Sequence, residues 1–317
     1  MTGQTDQQFG TALLPALIRA CDNRLSHVTW FRTSWQRGGA LTGYGQFRDE
    51  SGDEQPVVVK MPVPPQERQW LERLQSENHT AGDVVPRLYA SDNSLNGYDL
   101  AWVVMERLPH GPIDSAWQGA EVQLLVEAAS RFYVATQDEP PAGPPRHEDW
   151  AQIIKRARET ARRHEIEDSK KWTASLKALG KKQGKLLAKW ESRRTDQWCH
   201  GDLHLANALT RTEPPDGPAL LIDFAAVHAG HWVEDAIYFE HLLWANPQRL
   251  GDQNIARMIS LQRKQEGLPG ESDWPDLANI RRVLLAAAAP AYMRSEGDPR
   301  YTSAALNVLE RTLSQVN

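Results

Sequence analysis

Apolar and polar residues alternate along the first third of the chain in short runs that end at turn residues. The runs "VTWFRTSW", "ALTGYGQF" and "PVVVKM" lie within residues 28–61 and are separated by Gly- and Asp-rich turns, which predicts an antiparallel meander. The segment "PPQERQWLERL" has a helical pattern that begins after prolines. A further strand is predicted in "YDLAWVVMERLPHG". We therefore expect a small sheet with one helix over residues 28–111.

The periodicity becomes helical after this segment. Residues 120–137, 148–164 and 168–194 repeat apolar positions at helical spacing, and the proline-rich "DEPPAGPPRHED" separates the first two. The apolar runs in "DQWCHGDLHLANAL" and "PALLIDFAAV" predict a β-hairpin, and the chain is helical again from Trp232 onward. This order of elements predicts an α+β fold with a small sheet lobe followed by a large helical lobe.

Composition narrows the class of protein. The chain has 317 residues, 40% of them hydrophobic, and a net charge of −5, so no global attraction to nucleic acid or to an anionic membrane is expected. The polar start "MTGQTDQQFG" does not resemble a secretory signal, and the longest apolar stretch, Val283 to Met293, is far shorter than the roughly 20 residues of a membrane span. Two distant cysteines without a CxxC motif fit a reducing compartment. These observations predict a cytoplasmic protein, and we expect it to be a monomer or a homodimer.

One segment departs from this acidic balance. The stretch "SKKWTASLKALGKKQGKLLAKWESRR" holds nine of the 36 Lys and Arg residues, so a phosphate-binding face is one interpretation. A solvated helix face is the interpretation we favour. The motif "GKKQGK" is too short for a P-loop, and no Ser or Thr follows Lys185.

Three polar side chains carry the candidate chemistry. Asp202 is followed five residues later by Asn207, and Asp223 ends the apolar run "LLIDF". Phosphoryl transfer from ATP needs a carboxylate that orients the attacking hydroxyl, and it needs oxygen ligands for Mg²⁺. The order of a base, an Asn five positions on and a later Asp is also the order of the protein-kinase motifs.

The wider pattern makes the resemblance specific. Residues 200–207 match H-G-D-x-H-x-x-N at every fixed position, "IDF" follows, and Gly230 and Asp235 stand seven and twelve residues after Asp223. Over residues 28–245, the chain resembles the aminoglycoside phosphotransferase and choline kinase family, the small-molecule branch of the protein-kinase-like fold. The resemblance implies an N-terminal nucleotide-binding lobe over residues 1–108, with an N-terminal helix, an antiparallel sheet and one internal helix. It implies a helical C-terminal lobe over residues 109–317 with the catalytic loop and the acceptor site.

The resemblance also implies roles for the motif residues. Asp202 would be the catalytic base, and Asn207 and Asp223 would hold Mg²⁺. His200 would support the catalytic loop by hydrogen bonding, and Asp235 would brace the same loop from a helix N-terminus. For His204, a bracing role and a contact to phosphate or substrate stay open.

The ATP side is expected in the sheet lobe. Lys60 ends the strand "PVVVK", in the place of the kinase lysine that contacts the α- and β-phosphates. Gly38 and Gly39 in "QRGGA" form the candidate turn over the phosphates. Backbone groups near Glu106 to Leu108 would meet adenine.

Two glutamates of the following helix compete for Lys60. At 100° per residue, Glu67 lies on the same helix face as Leu71 and Leu74, whereas Glu72 lies about 140° away and should face water. We therefore expect Glu67 to pair with Lys60, although the spacing of seven residues is shorter than the family usually shows.

The sequence thus predicts an ATP- and Mg²⁺-dependent phosphotransferase acting on a hydroxyl of a small molecule. The acceptor would be an aminoglycoside or other antibiotic, or a metabolite such as an amino alcohol or sugar, and neither nucleic acid nor membrane is an expected partner. A catalytically silent nucleotide-binding protein is the alternative. Ala225 in place of the Gly of D-F-G and the missing A-P-E element make a protein kinase less favoured.

Two groups of residues were weighed for the acceptor. Acidic residues of the C-terminal part could attract a cationic acceptor, but we favour ordinary surface acids: Glu234, Glu240, Glu266, Glu271 and Asp273. Aromatic residues could stack on a sugar or a cation, although packing in the helical core is the more common use: Trp232, Trp244 and Trp274.

Overall fold

The computed structural model describes residues 2–31, 40–75, 83–114, 119–141, 143–292 and 298–316. The chain forms two compact units, Met1–Arg131 with Leu205–Ala226, and Phe132–His204 with Val227–Asn317. The first unit therefore takes a short internal segment from the C-terminal half of the sequence. The lobe boundary at residue 108 stays a prediction.

The first unit contains a five-stranded antiparallel sheet in the order β1-β2-β3-β5-β4. The elements are α1 (Thr2–Ala20), β1 (Leu25–Phe31), β2 (Leu41–Arg48), β3 (Glu54–Met61), α2 (Pro65–Arg73), β4 (Leu88–Asp92) and β5 (Trp102–Glu106). The predicted meander corresponds to β1 to β3, and the later predicted strand to β5. Strand β4, whose residues are only partly buried, is an addition to the elements predicted from the sequence.

Alternation along β3 decides where Lys60 lies. Val57, Val59 and Met61 are fully buried and belong to a core cluster that also contains Leu17 of α1. Because successive side chains of a strand point to opposite faces, Lys60 lies on the other face of the sheet. The register pairs Lys60 with Thr42 of β2 on one side and with Val103 of β5 on the other.

The second unit is mainly helical. Helix α3 (Glu121–Thr136) begins in the first unit and ends in the second, and the remaining helices follow in chain order: α4 (Trp150–Arg162), α5 (Ser169–Gly180), α6 (Gln183–Glu191), α7 (Val233–Leu242), α8 (Pro247–Leu250), α9 (Ile255–Gln265), α10 (Trp274–Tyr292) and α11 (Pro299–Leu313). Helix α10 packs against α4, α7 and α11. The predicted helix over residues 168–194 is two helices, because the chain turns after Gly180. No helix in the described part of the chain has the length and apolar character that crossing a membrane requires.

The motif region forms two small antiparallel pairs instead of the single predicted hairpin. Strand β7 (Ala208–Thr210) pairs with β8 (Ala219–Leu221) in the first unit. Strand β6 (Gln197–Cys199) pairs with β9 (His228–Gly230) in the second unit. The first apolar run therefore supplies both β6 and β7, which the polar loop between them separates.

Candidate active site

A buried ion pair joins Lys60 to helix α2. Lys60 Nζ lies 2.6 Å from Glu67 Oε1, and Glu67 is only 1% exposed. Burial raises the pKa of Glu67, and the charge of Lys60 opposes this rise. Glu72 instead contacts Arg68 and accepts a hydrogen bond from Ser91 Oγ at 2.5 Å. The structure thus pairs Lys60 with the inward-facing glutamate.

The same lysine reaches the second motif carboxylate. Lys60 Nζ lies 3.7 Å from Asp223 Oδ1, whose side chain is 41% exposed. Asp223 has φ of +66°, in the left-handed region where a residue with a Cβ is strained by roughly 1–2 kcal/mol. The short 3-10 turn Phe224–Ala226 after it packs against α2. Glu67 and Asp223 therefore flank one cation within the first unit.

The β7–β8 hairpin aligns Asn207 with the segment that carries Asp223. Ala208 pairs with Leu221, and Ile222 N donates to Asn207 O at 3.0 Å. Asn207 and Asp223 thus flank the paired strands at the same end of the hairpin. An amide oxygen and a carboxylate are ligand types that Mg²⁺ accepts alongside phosphate oxygens. The donor set therefore fits magnesium.

An unpredicted ion-pair network occupies the end of β5. Arg211 binds Glu106 through two hydrogen bonds of 2.8 Å, and a third hydrogen bond of 2.8 Å joins it to the buried Asp83. Burial would raise the pKa of Glu106, but the hydrogen bonds from Arg211 and from the Arg87 amide lower it. The hydrogen bond to Glu106 raises the pKa of Arg211. The Glu106 side chain therefore has a structural partner.

The remaining ATP-side candidates are backbone groups. Glu106 N donates to Arg87 O at 2.7 Å, Arg107 N donates to Pro56 O at 3.0 Å, and Leu108 is buried. The backbone amides of Glu106 and Arg107 are therefore already used in hydrogen bonds at this end of the sheet. Gly38 and Gly39 lie outside the described residues.

In the second unit, Asp235 fixes the backbone of the predicted catalytic loop. Its carboxylate accepts hydrogen bonds of 2.8 Å from His200 N and from Gly201 N, and a third of 3.0 Å from Tyr133 Oη. Gly201 has φ of +79°, a conformation that glycine adopts without steric cost. Burial and the charge of Asp235 raise the pKa of Tyr133. The first turn of α7 thus holds the "HGD" backbone.

Asp202 is held by groups from two elements. Tyr238 Oη on α7 donates to Asp202 Oδ1 at 2.5 Å, and His204 Nε2 lies 3.5 Å from the same oxygen. Asp202 N donates to His200 Nδ1 at 3.3 Å. The Asp202 side chain is 30% exposed, which leaves it accessible to a small molecule. Sequence reasoning missed Tyr238, although its position three residues after Asp235 on one helix face could have indicated it.

Gly230 is needed because its surroundings leave no room for a side chain. A Cβ at this position would lie 2.8 Å from Glu234 Oε1 and 2.9 Å from Cys199 Sγ. Both neighbours are buried. The glycine of the motif therefore permits the close approach of β9 to β6 and to the start of α7.

Three of the five acids interpreted as surface residues are buried ion-pair partners. Arg193 contacts Glu234 at 2.9 Å, and Arg282 contacts Glu240 at 2.6 Å. Glu271 lies 2.9 Å from His231 Nε2. Their side chains are 4%, 8% and 4% exposed, respectively. The surface interpretation was therefore wrong for these three residues.

The other two acids, Glu266 and Asp273, are exposed as expected. Burial would raise the pKa of Glu234, but the hydrogen bond from His228 and the charges of nearby arginines lower it to about 2. Trp232 and Trp244 are buried in the helical core. These tryptophans therefore serve packing, as the more common interpretation has it.

The small antiparallel sheet, the helical remainder and the motif geometry define the two-lobed α+β fold of protein-kinase-like enzymes. The model of the phosphotransferase enzyme family, APH, matches residues 43–256, about two thirds of the chain. The chain belongs to this phosphotransferase family, and it is a small-molecule kinase. The resemblance noted from the sequence is thereby confirmed. A comparison with curated protein sequences finds no significant match.

Solved structures support the fold. The chain is similar to a microcompartment-associated aminopropanol kinase, with 18% identity, a TM-score of 0.58, and coverage of 91% of this chain and 93% of that one. An aminoglycoside phosphotransferase from Alicyclobacillus acidocaldarius has 15% identity and a TM-score of 0.57, with 90% of each chain covered. A thermostable aminoglycoside phosphotransferase mutant, in a ternary complex with AMP-PNP and hygromycin B, has 14% identity and a TM-score of 0.54 over 94% of this chain and 96% of that one.

Proposed function

We propose that this chain transfers the γ-phosphate of ATP to a hydroxyl group of a small molecule in a Mg²⁺-dependent reaction. The observation that carries the proposal is the support of Asp202. Its loop backbone is held by Asp235, its carboxylate accepts a hydrogen bond from Tyr238, and it remains partly exposed. A carboxylate fixed in this way suits the role of a base that orients an incoming hydroxyl.

In the proposed reaction, the acceptor oxygen forms a bond to the γ-phosphorus. The bond from that phosphorus to the bridging oxygen breaks, and ADP leaves with its electron pair. The acceptor proton passes to Asp202. A silent nucleotide-binding protein would not need this carboxylate to be both supported and accessible, which favours an active enzyme.

The nucleotide side rests on residues of the first unit. Asn207 and Asp223 would hold Mg²⁺, which neutralises charge on the β- and γ-phosphates when bound. Lys60, oriented by Glu67, would contact the α- and β-phosphates. AMP-PNP in the complex of a structural neighbour supports ATP as the donor.

The adenine and glycine-turn assignments are also part of this proposal. The backbone of Glu106 and Leu108 would meet adenine, and because the amides of Glu106 and Arg107 are used within the sheet, the Leu108 amide is the donor we assign. Gly38 and Gly39 would cover the phosphates.

Charge pairing in the second unit bears on the acceptor. The three carboxylates of α7 are all engaged: Asp235 by amides, Glu234 by Arg193 and Glu240 by Arg282. A polycationic aminoglycoside would need several carboxylates for its ammonium groups. We therefore place an amino alcohol or a sugar ahead of an aminoglycoside. The names of the neighbours, an aminopropanol kinase and aminoglycoside phosphotransferases, supply the two acceptor types to compare.

The cellular setting follows the sequence expectations. Cys21 and Cys199 are both free and buried, which agrees with a reducing cytoplasm. We propose a cytoplasmic monomer or homodimer that acts on small molecules, with neither nucleic acid nor a membrane as its partner.

The test is ADP release with Mg-ATP and a panel of amino alcohols, sugars and aminoglycosides, in the parent and in Asp202→Asn. The variant keeps the size of the side chain but removes its charge and basicity. We expect turnover on a confirmed acceptor to fall by roughly 10²–10⁴-fold. The increase in melting temperature caused by Mg-ATP should stay nearly unchanged.

Two outcomes would contradict the proposal. If the parent shows no thermal shift with millimolar Mg-ATP and no acceptor-dependent ADP release, the chain is not an ATP-dependent kinase of this class. If Asp202→Asn turns over a confirmed acceptor at the parental rate, Asp202 is not the base.

A further inference from the structure

We propose that Tyr238 is a positioning residue for phosphoryl transfer, which fixes the orientation of the Asp202 carboxylate by donating a hydrogen bond to Oδ1. The inference rests on the proposed function, because it assigns Asp202 the role of base. The contact itself is short, with 2.5 Å between Tyr238 Oη and Asp202 Oδ1. Hydroxyl-to-carboxylate hydrogen bonds of about this length are among the stronger ones in proteins.

Helix α7 braces the catalytic loop at two levels. Asp235 in its first turn binds the amides of His200 and Gly201, and Tyr238 binds the side chain of Asp202. Residues three apart share a helix face, so one helix fixes both the backbone and the carboxylate. A rotation of that carboxylate would have to break a bond that the helix holds in place.

The tyrosine ring belongs to an aromatic cluster, which it joins through His241. His241 Nδ1 contacts Tyr238 O, and the two rings lie 5.0 Å apart. The His241 ring also contacts Trp244 at 5.8 Å and Tyr301 at 6.2 Å between centroids. Because His241 contacts both the backbone and the ring of Tyr238, it limits rotation of that ring, and the hydroxyl stays directed at Asp202 without a large loss of side-chain entropy on binding substrate.

Tyr238 stays a proton donor in this setting. Burial, and then the hydrogen bond and the charge of Asp202, raise the pKa of Tyr238, while the charge of Arg146 opposes this. The negative charge of the pair therefore resides on Asp202. His204 Nε2 lies 3.5 Å from the same carboxylate oxygen, and the Asp202 amide donates to His200 Nδ1. Of these groups, the tyrosine makes the shortest contact to the carboxylate.

The test is Tyr238→Phe, which keeps the ring and removes only the hydroxyl. We expect kcat on a confirmed acceptor to fall by roughly 10- to 100-fold, since misplacing a reacting group by about 1 Å can cost 10²-fold. The KM for ATP and the Mg-ATP thermal shift should stay at the parental values. The acid limb of the pH–kcat profile should move to higher pH, because the ionised carboxylate loses a hydrogen bond that favours it.

Tyr301→Phe is the matched control. Tyr301 belongs to the same aromatic cluster, with its ring 6.1 Å from that of Trp244, whereas Tyr238 is the tyrosine that donates to Asp202. It should retain the parental kcat and pH profile. If the two Phe variants behave alike, the effect of the Tyr238 change is general to the cluster, and the positioning role is excluded.

A double-variant cycle separates positioning from an independent effect. If Tyr238 acts through Asp202, adding Tyr238→Phe to Asp202→Asn should cause little further loss of kcat. The inference would be overturned if the fold-losses in kcat of the two single variants multiplied fully in the double variant. It would also be overturned if Tyr238→Phe kept the parental kcat and pH profile. Absence of acceptor-dependent turnover in the parent is a different result, which overturns the proposed function and this inference with it.

Discussion

Lys60 Nζ lies 2.6 Å from the buried Oε1 of Glu67, at the first turn of helix α2. The second oxygen of this carboxylate, Oε2, is also buried and has no hydrogen-bond partner among the described residues. Glu67 therefore depends on Lys60 to offset the cost of its burial. The pair couples the sheet to α2 and sets the position of the lysine.

We expect Glu67→Ala to weaken ATP use and to destabilise the fold. Breaking a buried ion pair costs about 3–5 kcal/mol when the remaining charge stays buried, and the figure should be lower here because Lys60 is 18% exposed.

Glu72→Ala is the matched control on the same helix, since its side chain is 38% exposed and such surface pairs contribute about 0–1 kcal/mol. The measurements are KM for ATP and urea unfolding. Lys60→Ala should have the larger effect on KM, and a loss of ATP use in Glu72→Ala alone would refute the assignment.

Asp223→Ala should remove most of the magnesium-dependent part of the ATP thermal shift. The parent is stabilised by mass action when Mg-ATP binds the folded state, and in the proposed function Asp223 would supply a metal-ligand oxygen near Lys60. The shift is compared at fixed ATP with and without Mg²⁺. Asp216→Ala, on the loop between β7 and β8, is the control. It should show the same difference between the thermal shifts with and without Mg²⁺ as the parent. Equal shifts in parent and Asp223→Ala would show that Asp223 is not a metal ligand.

The sequence predicts those parts of the site that lie close together along the chain. Asp202, Asn207, Asp223 and Asp235 fall within 34 residues, on one continuous segment that runs from the loop after β6 through the β7–β8 hairpin and β9 to α7. Glu67 could be chosen over Glu72 because a helix of known period separates inward from outward positions. Local periodicity was therefore sufficient to select Glu67, whereas the roles of the four motif residues stay predictions.

The parts that could not be predicted depend on long-range partners. Arg211 lies 105 residues from Glu106 in sequence, and Arg282 lies 42 residues from Glu240. Nothing in the local pattern of strand β5 or of helix α7 shows that Glu106 or Glu240 has such a partner, because the arginine comes from a distant part of the chain. Strand β4 was missed for a similar reason, since most of its residues are half-buried and its pairing with β5 contains an irregularity.

Gly230→Ala should destabilise the protein by about 1–3 kcal/mol, the usual cost of overpacking a buried site. The added methyl group would meet Cys199 Sγ and the Glu234 carboxylate at under 3 Å, and Arg193 holds that carboxylate in place. Gly184→Ala is the control. No atom lies within 4 Å of a Cβ at that position of helix α6, so alanine should stabilise the protein by up to about 1 kcal/mol. Urea unfolding at neutral pH measures both, and equal stabilities for the two variants would contradict the steric argument.

His241 should make the protein less stable in mild acid. Burial lowers its pKa to about 4 from 6.5, so between these values the unfolded chain binds a proton that the folded chain does not. The contribution of His241 to the free energy of unfolding is therefore fully present above pH 6.5 and is lost as the pH is lowered towards 4. Below pH 4 this contribution changes no further. The buried acids Glu234 and Glu271, each with a pKa of about 2 against an ordinary 4.5, lose their contributions mainly below this window.

The measurement is the free energy of unfolding at pH 7.5 and at pH 5. Over this range the parent should lose about 2 kcal/mol more than His241→Asn, since one pKa unit corresponds to about 1.4 kcal/mol. The Asn variant starts from a lower stability because it packs less well, so the change with pH, and not the absolute value, is compared. His147→Asn is the control, because His147 is exposed and its removal should leave the change with pH as in the parent. A parental change with pH in His241→Asn would mean that His241 does not stay neutral in the fold.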